Sequence, residues 1–302
     1  MSHTNKILFI VNPFAGISKK RNFPEMVENR LGNSNVYYKI AYTEYAGHAI
    51  ELASKGVKEG ADIIAAVGGD GTVNEVAGAL VGSETALAII PGGSGNGLSM
   101  HLGIGRNAAK ALSLLKSPDF EVIDTCKIND EFFINMAGTG MDAKVAHRTS
   151  QNKHRGFINY FLDTMKISLF YKNERYKVEV DDDVREGKFL SVNIANGSMF
   201  GYNFVVAPQA SINDGNMQLV MMHHAPKWMY FLHSWRFFTK TIDRAPFAEI
   251  VSAKNVRIRS ETPLVYHKDG DGFSMDTKEL KAEVLPNSLK VAVPKPSAQR
   301  IR

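Results

Sequence analysis

The stretch that decides the fold is ADIIAAVGGDGTVNEVAGAL, residues 61–80. It begins with a continuous apolar run, Ala61–Val67, which is typical of a strand that is buried on both faces. The run ends in two glycines, Asp70 and a third glycine, and then continues as a helix-like segment. Backbone N–H groups at the start of a helix favour anions, phosphate above all. The stretch therefore predicts a strand–turn–helix unit that binds phosphate.

The turn itself raises a question about its acid. Its glycines allow positive φ values and let a ligand approach the backbone closely. Thr72 and Glu75 have the spacing of a capping box for the helix that follows. The turn is neither a Rossmann fingerprint, because Asn74 stands where that pattern needs glycine, nor a P-loop, because no lysine follows. Asp70 would repel a phosphate, and its presence is explained if a divalent cation, usually magnesium, lies between the two.

Strand and helix signals alternate through the first part of the chain. Strand-like runs lie at Lys6–Pro13, Asn35–Thr43 and Ala86–Ile90, and helical spacing lies at Ala46–Gly60 and Ala108–Ser117. This alternation predicts an α/β domain over residues 1–124, with a parallel sheet flanked by helices. Two more loops, NPFAG (Asn12–Gly16) and PGGSGNG (Pro91–Gly97), follow strands of this sheet. The carboxyl ends of parallel strands share one ligand-binding edge, so we expect the loops to converge there.

The pattern changes after about residue 124. Short strand-like runs separated by turn residues predict a mainly antiparallel β domain over residues 125–302. Two helix-like insertions interrupt these runs, near Ile158–Phe170 and Trp228–Lys240. The two predicted domains are joined without a long linker, so we expect the active site in the cleft between them.

Composition limits the possible partners and the compartment. The 302 residues are 44% hydrophobic and carry a formal net charge of +5, which favours anionic partners such as phosphates, nucleotides or acidic lipid surfaces. No dense Lys/Arg stripe is present, so no nucleic acid partner is expected. Cys126 is the single cysteine, which excludes a disulfide framework within one chain. The start of the sequence lacks the pattern of a signal peptide and no long apolar run follows, so we expect a cytoplasmic protein.

Three motifs in order, NPFAG, GGDGTVNEV and PGGSGNGL, resemble the diacylglycerol kinase catalytic-domain family, which includes bacterial lipid kinases, sphingosine kinases and ceramide kinases. The β-rich half resembles the same family at NMAGTGMDAKV (Asn135–Val145), APQASINDGNMQLV (Ala207–Val220) and YHKDGDG (Tyr266–Gly272). The resemblance implies a nucleotide-binding first domain, a lipid-binding second domain, and transfer of the γ-phosphate of ATP to a lipid hydroxyl such as that of diacylglycerol, sphingosine or a ceramide-like acceptor.

The family resemblance also implies roles for particular residues. Nucleotide contacts are expected from Asn12, Pro13, Gly16, Thr43, Gly68, Gly69, Asp70, Gly71, Thr72, Val73, Asn74, Gly93, Ser94, Gly95 and Asn96. Magnesium is implied at Asp214, with Ser211 and Asn216 lending main-chain oxygens. Taken alone, Asp214 and the following glycine would indicate a hairpin turn. The implied catalytic acids are Asp271, as general base, and Asp70, beside magnesium.

Two features depart from the usual pattern of the family. The family has Asp-Gly-Glu where this chain has Asp269-Gly270-Asp271, so the predicted base is shorter by one methylene, about 1.5 Å. A misplacement of about 1 Å can change a rate about 100-fold. Taken alone, the sequence KDGDG would indicate a solvated turn. The form GSGNGL, together with Asp142 as a substrate residue, favours a long-chain base or ceramide-like acceptor.

The expected cofactors are ATP and Mg²⁺, and the expected partner is a lipid substrate at a membrane surface. The protein would associate peripherally with the membrane, and a homodimer is left open. Trp228, Phe231, Leu232, Trp235 and Phe238 share one helical face, which we expect to pack on the core, with docking on a bilayer as the alternative. Two other functions are kept: an NAD kinase, which shares GGDGT, and a catalytically inactive protein that senses lipid or nucleotide.

Overall fold

The structure is a computed structural model, and it describes residues 5–15, 22–151, 164, 166–168, 170–201 and 203–295. These residues fall into two compact units. The first contains the described residues up to Ile123 and again from Asn287 onward, and the second is Asp124–Pro286. The division predicted from the sequence, 1–124 and 125–302, leaves out this return of the chain to the first unit.

Four parallel strands from the start of the chain form most of the sheet of the first unit. They are β1 (Asn5–Val11), β2 (Val36–Tyr42), β3 (Ile63–Gly68) and β4 (Ala86–Pro91). They pair in the order β2–β1–β3–β4. Every residue of β3 and β4 is buried, as expected for strands covered on both faces. The predicted parallel sheet is confirmed.

Five helices accompany these strands. They are α1 (Phe23–Leu31), α2 (His48–Lys58), α3 (Asp70–Leu80), α4 (Gly97–His101) and α5 (Ala108–Leu114). Val76, Ala77 and Leu80 form the buried face of α3, which follows the buried strand β3 directly. This placement of the helix fixes its N-terminus at the carboxyl end of the strand, where the predicted phosphate site lies.

The strands of the second unit pair antiparallel, which confirms the predicted β domain. The remaining strands of the chain are β5 (Asp119–Ile128), β6 (Glu131–Phe133), β7 (Met136–Gly140), β8 (Glu174–Val180), β9 (Asp183–Ala195), β10 (Met199–Gly201), β11 (Phe204–Val205), β12 (Met217–His223), β13 (Ala248–Ala253), β14 (Asn255–Ser260), β15 (Val265–Lys268), β16 (Asp271–Ser274) and β17 (Glu279–Val293). The order in the main sheet is β16–β15–β7–β9–β8–β14–β17, and β12 pairs with both β9 and β13.

The helices of the second unit that the structure describes over their full length are α6 (Met141–Gln151) and α7 (Lys227–His233), and a 3₁₀ turn at Ser234–Phe237 continues α7. The aromatic face predicted to pack on the core is exposed instead, since its side chains keep between 52% and 78% of their surface accessible. Most of the predicted insertion at 158–170 lies outside the described residues. Within the part of the chain that the structure covers, no helix is both long and apolar enough to cross a membrane.

The last strand, β17, belongs to both units. Its first half pairs antiparallel with β14 of the second unit. Its second half lies in the first unit, where Val291 pairs parallel with Leu87 of β4. Leu289 and Val291 are buried there, with 1% and 0% of their surface exposed. The segment from Asn287 therefore supplies the strand beside β4.

Candidate active site

The helix α3 begins at Asp70 and has no side-chain cap. The predicted capping box is wrong, because the helix starts two residues before Thr72 and places that hydroxyl inside the first turn. Thr72 Oγ1 instead accepts a hydrogen bond from Asn12 Nδ2 at 3.1 Å. Glu75 Oε1 accepts the N–H of Gly47 at 3.1 Å. Both side chains therefore join α3 to the loops that follow β1 and β2.

The glycines of the β3–α3 turn serve close contact rather than unusual backbone angles. Gly69 has a φ of −91°, so this residue does not use the positive φ values that glycine allows. A Cβ at Gly69 would lie 3.2 Å from the Cα of Gly93, and a Cβ at Gly93 would overlap the Cα of Gly69. The loops after β3 and β4 touch backbone to backbone, and any larger side chain would separate them.

The carboxylate of Asp70 holds the loop after β4. Its Oδ2 accepts the N–H of Asn96 and its Oδ1 accepts the N–H of Gly97, both at 2.9 Å. Asn96 has a φ of +53° and clasps its own loop, since its side chain accepts the N–H of Gly93 at 3.1 Å and donates to the carbonyl of Gly93 at 2.8 Å. The acid in this turn therefore has a structural role, holding the loop after β4, which sequence reasoning missed.

The loop after β1 joins the same group. The N–H of Asn12 donates to the carbonyl of Val67 in β3, and Asn12 Oδ1 accepts the N–H of Phe14. Thr43 is buried, and its N–H donates to the carbonyl of Val11 at 2.9 Å. The predicted contact Gly16 lies outside the described residues.

Apart from Gly16, the predicted nucleotide residues all lie at the carboxyl ends of β1 to β4. Hydrogen bonds link three of the loops directly, and Ser94 is exposed at the tip of the last of them. Val73 is buried, and its N–H already donates to the carbonyl of Gly69 at 3.1 Å. The result is an edge of glycine-rich backbone with several amide groups, which is the chemistry that binds phosphates.

The predicted metal-binding loop lies in the second unit, and a buried aspartate holds it by a hydrogen bond. Asp124 is fully buried, and its Oδ2 accepts the N–H of Gly215 at 2.6 Å. Asp214 is exposed at the loop surface, where its Oδ1 accepts the N–H of Asn216 at 3.0 Å. Asn216 Nδ2 in turn donates to the carbonyl of Asp214 at 2.9 Å. Sequence reasoning missed Asp124, since nothing near it in the chain indicates the loop that it supports.

Within the described part of the chain, no group of three or more His, Cys, Asp or Glu side chains is placed to hold a metal ion. Mg²⁺ usually binds through one or two carboxylates and keeps several waters. The exposed carboxylate of Asp214 and the oxygen atoms of its loop, including those of Ser211 and Asn216, fit that requirement. Asp70 fits it less well, because each of its carboxylate oxygens already accepts a backbone N–H.

The segment KDGDG forms a two-residue hairpin turn between β15 and β16, with Lys268 paired to Asp271. Asp269 and Gly270 occupy the turn with φ values of +46° and +96°. Asp269 is buried, and its carboxylate accepts three backbone N–H groups at 2.9–3.0 Å, from Ile134, Asn135 and Met136. These three hydrogen bonds fix the turn, and with it the position of the partly exposed Asp271 at the start of β16.

Asp142 lies in the first turn of α6 at the end of a buried polar chain. Asn193 Nδ2 donates to Asp142 Oδ2 at 2.7 Å, and His267 Nε2 lies 2.8 Å from Asn193 Oδ1. Burial lowers the pKa of His267 to about 4, so the ring is neutral at neutral pH and its Nε2–H donates to the amide oxygen. Burial raises the pKa of the Asp142 carboxyl, whereas hydrogen bonds from Asn193 and Ser191 act in the opposite direction. Sequence reasoning found Asp142 but neither Asn193 nor His267.

Known proteins match this arrangement over nearly the whole chain. Residues 6–128 match the family model of the diacylglycerol kinase catalytic domain, and residues 135–293 match that of the YegS C-terminal NAD kinase beta sandwich-like domain. A Chromohalobacter salexigens protein named "probable lipid kinase YegS-like" is 27% identical over 292 residues, which cover 93% of this chain and 92% of that protein. A Klebsiella pneumoniae protein of the same name is 27% identical over 295 residues, covering 91% and 93%.

Solved structures agree with the sequence matches. A Bacillus anthracis str. Sterne protein, provisionally described as a diacylglycerol kinase, superposes with a TM-score of 0.83 at 25% identity and covers 98% of this chain and 97% of its own. A second structure from that organism has a TM-score of 0.75 at 22% identity and supports the fold alone. This chain therefore belongs to the diacylglycerol kinase catalytic-domain family and is a phosphotransferase with an alcohol group as acceptor.

Proposed function

We propose that this protein is an ATP-dependent lipid kinase that transfers the γ-phosphate to a lipid hydroxyl. The observation that carries the proposal is the meeting of the loops after β1, β3 and β4, which are tied together through Asn12, Asp70 and Thr72. Family membership supplies the reaction class, and the names of the relatives suggest the lipid acceptor.

The glycine loops would bind the triphosphate through backbone N–H groups. The close contact of Gly69 with Gly93 keeps side chains out of this edge, so phosphate oxygens can approach the backbone. The N-terminus of α3 adds the positive end of a helix dipole. Asp70 would act here mainly by holding the loop after β4 through the N–H groups of Asn96 and Gly97, so that the rest of this loop, including Ser94 and Gly95, keeps its shape when a phosphate arrives.

The loop of Asp214, with main-chain oxygens of Ser211 and Asn216, would hold a magnesium ion. When bound, a divalent cation screens the negative charge of phosphate groups. Asp124 would contribute by keeping the loop in shape through its bond to Gly215.

Asp271 would accept the proton of the lipid hydroxyl as the phosphoryl group is transferred. Its neighbour Asp269 holds the hairpin by three backbone hydrogen bonds, which leaves Asp271 as the acid of the turn that can reach a substrate. Asp142, held by Asn193, would contact the polar head of the lipid. A long-chain base or a ceramide-like acceptor offers such a head, and diacylglycerol remains a candidate.

The assignment is tested by measuring ATP consumption with diacylglycerol, sphingosine, ceramide or NAD as acceptor, with magnesium present. We expect turnover with at least one lipid. NAD is included because the description of the C-terminal family model names an NAD kinase beta sandwich-like domain. Phosphorylation of NAD alone would mean that the protein is an NAD kinase and not a lipid kinase. ATP binding without turnover on any acceptor would favour an inactive sensing protein.

The base is tested by Asp271→Asn. We expect turnover to fall by about 10²–10⁴-fold, the usual contribution of a general base, while ATP affinity measured by calorimetry stays unchanged. Asp276→Asn is the matched control, because Asp276 is an exposed acid five residues further along the same segment. Turnover that survives in Asp271→Asn at the level of this control would remove Asp271 from the mechanism.

A further inference from the structure

Five large apolar side chains form a surface on the outside of the second unit. They are Trp228, Phe231, Leu232, Trp235 and Phe238, with 64%, 78%, 56%, 52% and 58% of their surfaces exposed, and we call them the aromatic surface. A single exposed apolar residue is ordinary, but five neighbours on one helix and its 3₁₀ extension form a patch of the kind that marks an interaction site.

The other side of the same helix explains why this surface faces outward. Met229, Tyr230 and Phe237 pack against the hydrophobic cluster of the second unit. The hydroxyl of Tyr230 donates to the carbonyl of His223 at 2.8 Å, and its ring meets the edge of Phe247 at 4.8 Å between centroids. Phe237 stacks on Phe204 at 4.1 Å. These inner contacts already cover the core on this side. Of the aromatic surface, Phe238 also meets Phe204 at 5.7 Å between centroids but keeps 58% of its surface exposed. Most of the aromatic surface is therefore not used in packing.

The charged residues of this segment are all basic, and the first acid after it is Asp243. Between Pro226 and Ile242 the chain contains Lys227, Arg236 and Lys240 and no acid. The guanidinium of Arg236 lies over the ring of Trp235, 4.8 Å from its centroid. Tryptophan and other aromatic rings favour the boundary between lipid headgroups and acyl chains, and nearby Lys or Arg are attracted to anionic lipids.

We propose that the aromatic surface docks the protein onto a bilayer that contains anionic lipid. The absence of acids from this segment favours the phosphate-rich surface of a membrane over a second copy of this chain, whose matching segment would bring the same positive charges together. The proposal rests on the proposed function in one respect, because a kinase of membrane lipids needs access to them. Docking itself does not require ATP, so the two can fail separately.

The protein carries its own reporter, because its two tryptophans, Trp228 and Trp235, both belong to the aromatic surface. The experiment titrates the full chain, without ATP, with phosphatidylcholine vesicles that contain or lack phosphatidylglycerol. We expect a blue shift of tryptophan emission, quenching by brominated acyl chains, and tighter binding to the anionic vesicles that weakens with added salt. Unchanged emission with both kinds of vesicle would overturn the proposal.

Matched variants separate docking through the aromatic surface from non-specific adsorption to vesicles. Phe231→Ser combined with Leu232→Ser keeps both tryptophans and should weaken vesicle binding by about tenfold or more, since two apolar side chains no longer enter the bilayer. Tyr37→Ser is the control, because Tyr37 is 55% exposed on β2 of the other unit, and it should bind as the parent does. Equal loss in both variants, or no loss in either, would contradict the proposal.

Two further measurements test the alternatives, which are self-association through the aromatic surface and a role of this surface in the kinase site. Light scattering in the absence of vesicles should give the same mass for the parent and the double variant. A parent dimer that the double variant abolishes would assign the surface to self-association and overturn bilayer docking. Turnover on a short-chain lipid in free solution should be equal in the parent and the double variant. Loss of that turnover in the double variant would mean that the surface serves the kinase site and would overturn docking as its role.

Discussion

Two aspartates in the two units use the same chemistry for different ends. Asp70 in the first unit accepts the N–H groups of Asn96 and Gly97, and Asp269 in the second accepts those of Ile134, Asn135 and Met136. Asp70 is partly exposed at the carboxyl edge of the parallel sheet, whereas Asp269 is 7% exposed and lies in a hairpin turn. Both acids shape backbone, Asp70 at the proposed phosphate site and Asp269 beside the proposed base, Asp271.

The two aspartates differ in the exposure of the backbone that each one holds. Around Asp70 the held loop is rich in glycine and partly exposed, with Ser94 at its surface. Around Asp269 every bonded donor is buried, so the grip contributes stability and position only. Asp70 therefore acts on the proposed phosphate loop by holding its backbone, and Asp269 acts on the proposed base, Asp271, by fixing the turn before it.

The largest effect on stability is expected from Asp269→Ala. Three backbone N–H groups would lose their acceptor in a buried site, and each such loss costs about 1–3 kcal/mol, so the free energy of unfolding should fall by about 4 kcal/mol. Urea denaturation measures this change. Asp276→Ala, which alters an exposed acid, should fall within about 0.5 kcal/mol of the parent. Equal stability of the two variants would contradict the grip described for Asp269.

A smaller loss is expected from Asp70→Asn. An amide can accept one of the two N–H groups but turns a donor toward the other, so the free energy of unfolding should fall by about 2–3 kcal/mol. Because the loop of Asn96 loses its shape, ATP affinity measured by calorimetry should fall as well. Glu84→Gln, at an exposed acid of the same unit, is the control. Unchanged stability with lost ATP affinity would instead give Asp70 a direct role toward the ligand or its metal.

The smallest effect is a dependence on pH that belongs to the second unit. Burial lowers the pKa of His267 to about 4, below the ordinary value of about 6.5, so between these values the unfolded chain binds a proton that the folded chain does not. Stability should therefore fall as the pH drops through this window, by about 2 kcal/mol at pH 5 at about 1.4 kcal/mol per pH unit.

His267→Gln tests the origin of that dependence. Glutamine can still donate to Asn193 Oδ1 but does not titrate, so the variant should lose less stability than the parent between pH 7 and pH 5. The measurement is urea denaturation of both proteins at the two pH values. Parallel profiles would show that the pH dependence comes from other groups and that His267 is not buried as a neutral ring.

Local patterns predicted much of the first unit. The continuous apolar runs of β3 and β4 indicated buried strands, and the glycines marked the loops at their ends. The partners of Asp70 could not be predicted, because Asn96 and Gly97 lie on another loop and the pattern of GGDGT gives no sign of them. The reason for the glycines was missed in the same way, since Gly69 is small to fit Gly93 rather than to adopt a positive φ.

The second unit was harder to predict, because its key contacts join distant segments. Asp269 is bonded to residues more than 130 positions earlier in the chain. The aromatic surface was assigned to the core because helical spacing finds an apolar face but cannot rank two of them. Met229, Tyr230 and Phe237 occupy the inner face, and nothing in the spacing distinguishes them from Trp228 and Phe231.

The shared strand β17 has a consequence for how the protein is made. The sheet of the first unit receives its strand beside β4 only from the segment after Asn287, so a ribosome must synthesise the whole second unit before this sheet can be completed. Until then β4 presents an unpaired edge, the kind of surface that pairs wrongly or attracts chaperones. The first unit is thus first in the sequence, but its sheet is the last part to be completed.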